Sequence, residues 1–329
     1  MKTTLSLAVV LLGAVAAHAQ DKPELTVYTY DSFVSDWGPG PQVEEAFEAV
    51  CDCDLKMISV GDGAGILSRL KLEAGRTEAD IVLGLDTNLT ADATASGLIA
   101  PHGITGEFDM PLAWDDANFL PYDWGYFAFV YDETKVPTAP KSFEELVASD
   151  LEIVIQDPRS STPGLGLMMW VEAAYGADAA RIWEGLSPKI VTVTKGWDEA
   201  YGMFLEGEAD MVLSYTTSPS YHIIAEEDLT KKAAPFNEGH YMQVEVAGIV
   251  EGTDQPDLAK SFMEFMISDS FQSIIPTTNW MYPVKLPADG LPDAFAKPVA
   301  DDKALLIPAA DAQAIQDAAL AEWISILSK

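Results

Sequence analysis

Leu25-Thr26-Val27-Tyr28-Thr29-Tyr30, Leu55-Lys56-Met57-Ile58-Ser59-Val60 and Ile81-Val82-Leu83-Gly84-Leu85-Asp86 are three short strand-like runs, the first rich in β-branched and aromatic residues. What separates them decides the fold. After the first, a Gly38-Pro39-Gly40-Pro41 turn opens a helical pattern with Val43, Phe47 and Val50 on one face. After the second, Asp62-Gly63 opens another, with Ile66, Leu70 and Glu73 at helical spacing and Arg69 and Lys71 outward. Strands alternating with helices predict βαβ units around a parallel sheet.

Further along, the alternation restarts. Gly125 to Val130 reads as a strand, and Ser142 with Glu145 as a capping box. Strands are predicted at Ile153 to Gln156, Ile190 to Thr194 and Met211 to Ser214, with helices from Gly164 to about Tyr175 and near Asp198 to Leu205 between them. Tyr241 to Val250 is a long strand-like run; Leu258, Phe262, Phe265 and Met266 mark an amphipathic helix. A last helix carries Ile315, Leu320, Trp323 and Leu327. No flexible linker separates the two α/β sets, so two lobes sharing strand-like crossovers near Tyr122 to Tyr131 and Tyr241 to Val250 are expected, closing on a ligand. The division is residues 20–122 with about 245–285 for lobe 1, 123–244 for lobe 2, and a helical tail over 286–329.

The chain has 329 residues, 48% hydrophobic and 22% charged, which excludes disorder on composition. Its net charge of -33 repels polyphosphate, so nucleic acid and anionic membranes are poor partners. Lys2, the apolar run Leu5 to Ala17 and the small-x-small triplet Ala17-His18-Ala19 read as a signal peptide cleaved after Ala19. The mature chain then begins at Gln20 and is exported. In an oxidising compartment Cys51 and Cys53 favour one local disulfide over a metal site, with two free thiols as the alternative.

Catalytic motifs are missing: there is no Gly-x-Ser-x-Gly elbow, His-Glu-x-x-His, Walker loop or Rossmann fingerprint. No catalytic residue and no metal ligand is therefore assigned. Binding features are stronger. Asp62-Gly63 and Ser161-Thr162-Pro163-Gly164 are strand-to-helix junctions, one per lobe, with Thr162 as N-cap and Pro163 at N1; facing each other they would suit a phosphate or hydroxyl. Aromatic residues gather at the predicted strand ends: Tyr28, Tyr30, Phe33 and Trp37; Gly196-Trp197; Tyr215-Thr216-Thr217-Ser218-Pro219-Ser220-Tyr221; and Asn279-Trp280-Met281-Tyr282. Flat rings with few basic neighbours suit an aromatic cation.

At these residues the chain resembles the thiamine-binding periplasmic proteins of bacterial ABC transporters. The matching strings are Thr26 to Phe33, Asp36 to Pro41, Ala79 to Asp86, Gln156 to Gly166, Val191 to Trp197, Leu213 to Tyr221 and Asn279 to Pro283. Cys51-x-Cys53 also looks like the family's pattern. The resemblance implies an α/β, two-lobed type II periplasmic binding protein fold, each lobe a mixed sheet flanked by helices. It implies capture of thiamine, its monophosphate or its diphosphate, with no cofactor, and delivery to an inner-membrane permease and its ATPase; a monomer is the default state for such a shuttle. It places Asp62, Gly63, Ser161, Thr162, Trp197, Tyr215, Thr216, Thr217 and Ser218 on the ligand, and Tyr30, Trp37, Tyr221 and Trp280 in the remaining aromatic box. Two alternatives stand beside it. One is a ferric-ion binder using Tyr215 and Tyr221; the other is an enzyme like thiaminase I, which needs a cysteine nucleophile in the cleft.

Overall fold

A computed structural model describes residues 22–328; the predicted leader lies outside the described residues. The three opening runs form β1 (Glu24–Thr29), β2 (Asp54–Ser59) and β3 (Ile81–Asp86), with β1 in the middle and parallel to both. Helices α1 (Asp31–Val34) and α2 (Gly40–Cys51) fill the first connection and α3 (Gly63–Glu73) the second. The α4 helix (Thr90–Ala95) and the short strand β4 (Ile99–Ala100) lead to β5, Phe119–Asp132.

The second set follows the predicted order: α5 (Phe143–Ala148), β6 (Ile153–Gln156), α6 (Thr162–Tyr175), α7 (Ala179–Leu186), β7 (Ile190–Thr194), α8 (Trp197–Glu206), β8 (Met211–Tyr215), α9 (Ser218–Ala225) and β9 (Lys231–Ala233). Strand β10 (His240–Val250) then returns to the first set. The spatial order is β2-β1-β3-β10-β5-β8-β6-β7. Along this order β2-β1-β3 and β8-β6-β7 are internally parallel; β10 runs antiparallel to β3 and β5, and β5 antiparallel to β8. The sheet is therefore mixed. Strand β5 pairs with β10 through its first half and with β8 from Phe127 to Tyr131, so one continuous strand passes between the two sets.

Three local readings are corrected. Strand β5 begins at Phe119, six residues before Gly125, although Pro121 lacks a donor; the register shifts beside Glu245/Val246, where Val246 faces that proline. The N-cap of α6 is Ser161, whose hydroxyl accepts from the Gly164 N–H, so Thr162 and Pro163 are the first two helical residues. Ser142 does cap α5, but the Glu145 carboxylate reaches one residue further back, to the Lys141 N–H at 2.8 Å.

Helices α10 (Pro256–Met266), α11 (Asp269–Gln272) and α12 (Ile275–Thr278) precede the short strands β11 (Tyr282–Pro283) and β12 (Ala304–Leu305), then α13, Ala309–Leu327. The tail touches both sets: α13 packs on α4, α6 and α7, with Trp323 edge-on to Trp183 at 6.4 Å. Cys51 and Cys53 are joined, with 5.2 Å between their Cα atoms, across the end of α2 where Asp52 turns left-handed. Among the described residues no helix is long and apolar enough to cross a membrane.

Candidate functional site

The carboxyl ends of β1, β2 and β3 face those of β6, β7 and β8 across a cavity of about 600 Å³. Ligands in α/β sheets gather at such ends, where helices begin and free N–H groups point outward. Tyr30, Ser32, Trp37 and Asp62 line one side; Thr162, Trp197, Asp198, Tyr201, Tyr215, Ser218 and Tyr221 line the other. Glu245 of β10 and the Thr277 to Met281 segment complete it. Seven lining residues are aromatic, three are acidic, and none is Lys, Arg or His.

The backbone fixes the rings. Gly84 holds φ at 107°, and a Cβ there would stand 2.2 Å from Tyr30 Cδ1, so only glycine lets that ring lie across β3. The Tyr30 hydroxyl donates to Glu245 at 2.9 Å. Trp197 opens α8, stacks on Tyr201 at 4.8 Å and donates its indole N–H to the Ser214 hydroxyl at 2.9 Å. Trp37, the most exposed of the cavity's large rings at 55%, stands 6.3 Å from Trp197 at the mouth. Tyr215 stacks on Phe127 at 5.1 Å, while Tyr221 meets Trp280 edge-on at 5.4 Å.

The two sides touch through Asp62. Its carboxylate caps α3 by accepting from the Gly63 N–H and crosses the cleft to accept from the Trp197 N–H at 2.9 Å. A Cβ on Gly63 would stand 2.5 Å from the Thr162 side chain, and the Gly65 N–H donates to the Ser160 carbonyl at 3.0 Å. Burial raises the Asp62 pKa against the pull of these N–H donors. Asp198 is pushed up to about 6 by burial and by Asp31, Asp62 and Glu199.

Of the residues singled out in the sequence, Tyr30, Trp37, Asp62, Thr162, Trp197, Tyr215, Ser218, Tyr221 and Trp280 share this wall. Gly63, Ser161, Thr216 and Thr217 lie off it. They build it instead: Gly63 supplies the close approach, Ser161 caps α6, the Thr216 N–H donates to Tyr126, and Thr217 is buried where α9 begins. Tyr28 and Phe33 are core. Glu245, Asp198, Tyr201 and Asn279 were missed. The signal for Glu245 was available, since an acid in the middle of a long buried strand demands a partner.

The alternatives find little support here. Burial and neighbouring acids raise the pKa of both Tyr215 and Tyr221, opposite to what tyrosinate ligands need. His222, Glu226 and Asp228 lie within metal-ligand reach of one another. Yet His222 already bonds Glu226 through Nδ1 at 2.6 Å and Tyr201 through Nε2 at 2.8 Å. The bonded Cys51 and Cys53 sit at the entrance to β2, the end opposite the cavity.

Two α/β halves joined by crossing strands around an aromatic, acid-lined cleft define a solute-binding protein of the periplasmic type. The chain matches the bacterial extracellular solute-binding protein family over residues 39–273. It is 50% identical over 311 residues to the thiamine-binding periplasmic protein of Escherichia coli strain K12, covering 94% of each chain. A solved periplasmic thiamin binding protein superposes with a TM-score of 0.90 at 48% identity, covering 98% of this chain and all of that one. Iron-bound HitA from Pseudomonas aeruginosa, at 19% identity and a TM-score of 0.75 over 92% of this chain and 99% of its own, shares the fold alone. The chain belongs to the family of the thiamine-binding periplasmic proteins.

Proposed function

We propose that this chain captures thiamine and its phosphate esters in the cleft, in the periplasm, and hands them as a monomer to an inner-membrane ABC permease and its ATPase. The supporting observation is the lining: seven aromatic rings and three carboxyl side chains without a basic residue. Thiamine is a permanently cationic heterocycle tethered to an aminopyrimidine, and such rings gain from π faces about 2 kcal/mol or more per desolvated contact. The Ser32 and Thr162 side chains, one on each side of the cavity, offer hydroxyls to the hydroxyethyl or phosphate arm. The cavity presents no thiol or activated hydroxyl for turnover, which favours carriage over chemistry. Tryptophan fluorescence tests the reading, because Trp37, Trp197 and Trp280 all line the cavity. Thiamine should quench it to saturation at one molecule per chain; an unchanged spectrum at millimolar thiamine would refute it.

A further inference from the structure

Three acids stand abreast where the chain crosses between lobes. Glu245, in the middle of β10, is paired in register with Asp86 of β3 on one side and Asp123 of β5 on the other. Asp86 and Asp123 are fully buried, and only Glu245 reaches the cavity wall. Every hydrogen-bond partner of the row is neutral. Tyr30 and Tyr122 donate their hydroxyls to Glu245 at 2.9 and 2.8 Å, and Asn279 donates to Asp123 at 2.6 Å. Asn88 donates to Asp86 through its backbone and its side chain. Asp123 Oδ1 is buried without a partner. The other titratable groups facing Glu245 are Asp62 at the start of α3 and Tyr215 at the end of β8, neither of which can supply positive charge. Among the described residues no lysine, arginine or histidine bonds any member of the row.

Neighbouring carboxylates in so dry a place cannot all ionise, since mutual repulsion and desolvation both penalise the charged form. Burial, with Glu245 beside both aspartates, pushes Glu245 and Asp86 up to about 7, and burial with Glu245 alongside also raises Asp123 well above the usual carboxylate range. A row kept for packing alone would be cheaper as amides. What the row lacks is a cation, and Glu245 opens onto the cavity. We propose that Glu245 reads the charge of the ligand: as a carboxylate it is the counter-ion of the bound cationic heterocycle, and the row Asp86–Glu245–Asp123 releases a proton to solvent as that cation enters. This rests on the thiamine reading and adds a proton to it. The balance is simple: one carboxyl O–H bond breaks, the proton passes to buffer, and the positive charge of the ligand replaces it. Binding should then strengthen as pH rises toward 7, and a neutral isostere should gain nothing from Glu245.

Calorimetry of the full chain with thiamine at pH 6.5, in buffers of different ionisation enthalpy, counts the proton. Release of about half a proton or more is expected for groups titrating near that pH. E245Q should lose the release and bind thiamine roughly 100-fold more weakly, the fold-change expected when a buried charge pair loses one partner. A thiamine isostere with an uncharged ring in place of the thiazolium should bind wild type and E245Q alike. No proton release from wild type, with thiamine still bound, overturns this inference alone and leaves the thiamine reading standing. Release persisting in E245Q overturns it too, and assigns the proton to a group other than Glu245. Wild type that fails to bind thiamine removes both. The proton count on wild type decides even if E245Q does not fold.

Discussion

Removing the Trp197 ring takes away a face of the cavity but little of the core, because the indole lies over Tyr201 at the edge of a small cluster behind α8. W197A should remain folded and bind thiamine at least about 30-fold more weakly, the equivalent of one desolvated cation–π contact. Titration calorimetry with unchanged affinity would remove Trp197 from the site. At this scale the sequence was legible where a ring follows a strand end beside Gly, Ser or Pro, as at Tyr30, Trp197 and Tyr215. It was not legible at Tyr201 or Asn279. Tyr201 sits one turn into α8 and reads as a core position; Asn279 matters only because folding brings Asp123 and Tyr30 to it from distant strands.

Asp62 ties the start of α3 to the start of α8, so a single side chain joins elements from opposite sides of the cleft. D62A should cost α3 about 1 kcal/mol as a lost N-cap, and loosen closure. Small-angle scattering of ligand-free D62A should give a larger radius of gyration than wild type, with weaker thiamine binding; an identical radius would deny Asp62 a latching role. Element order was readable because each βα junction has its own punctuation, Asp62-Gly63 or Ser161-Thr162-Pro163. Strand direction was not. The opening β1-β2-β3 units gave no hint that β5 and β10 would run antiparallel through the middle, since pairing partners 120 residues apart leave no local trace. The start of β5 was lost for a different reason: Pro121 and Asp123 break the apolar pattern, and the bulge beside the proline, with Tyr122 as the extra residue, shows only once β10 is paired alongside.

Across the whole molecule, acidity has a consequence for stability. Asp86 and Glu245, raised to about 7, hold protons in the folded chain that the unfolded chain releases at its ordinary carboxylate pKa. Between about pH 4.5 and 7 the folded state binds more protons, so stability is full below that window and is lost as pH rises through it. Self-repulsion from a net charge of -33 acts in the same direction. The melting temperature of the ligand-free protein should fall by several degrees from pH 5 to 8, with saturating thiamine flattening the slope; a ligand-free profile that rises over this range would contradict the protonation assigned to the row. The most direct test of the central claim, a cleft that closes its rings on one cationic vitamin, is equilibrium dialysis of refolded, ligand-free protein against labelled thiamine. The account predicts saturation at one thiamine per chain with a dissociation constant of about 1 μM or tighter, the product of several desolvated ring contacts. Label equally distributed across the membrane at every concentration would contradict it.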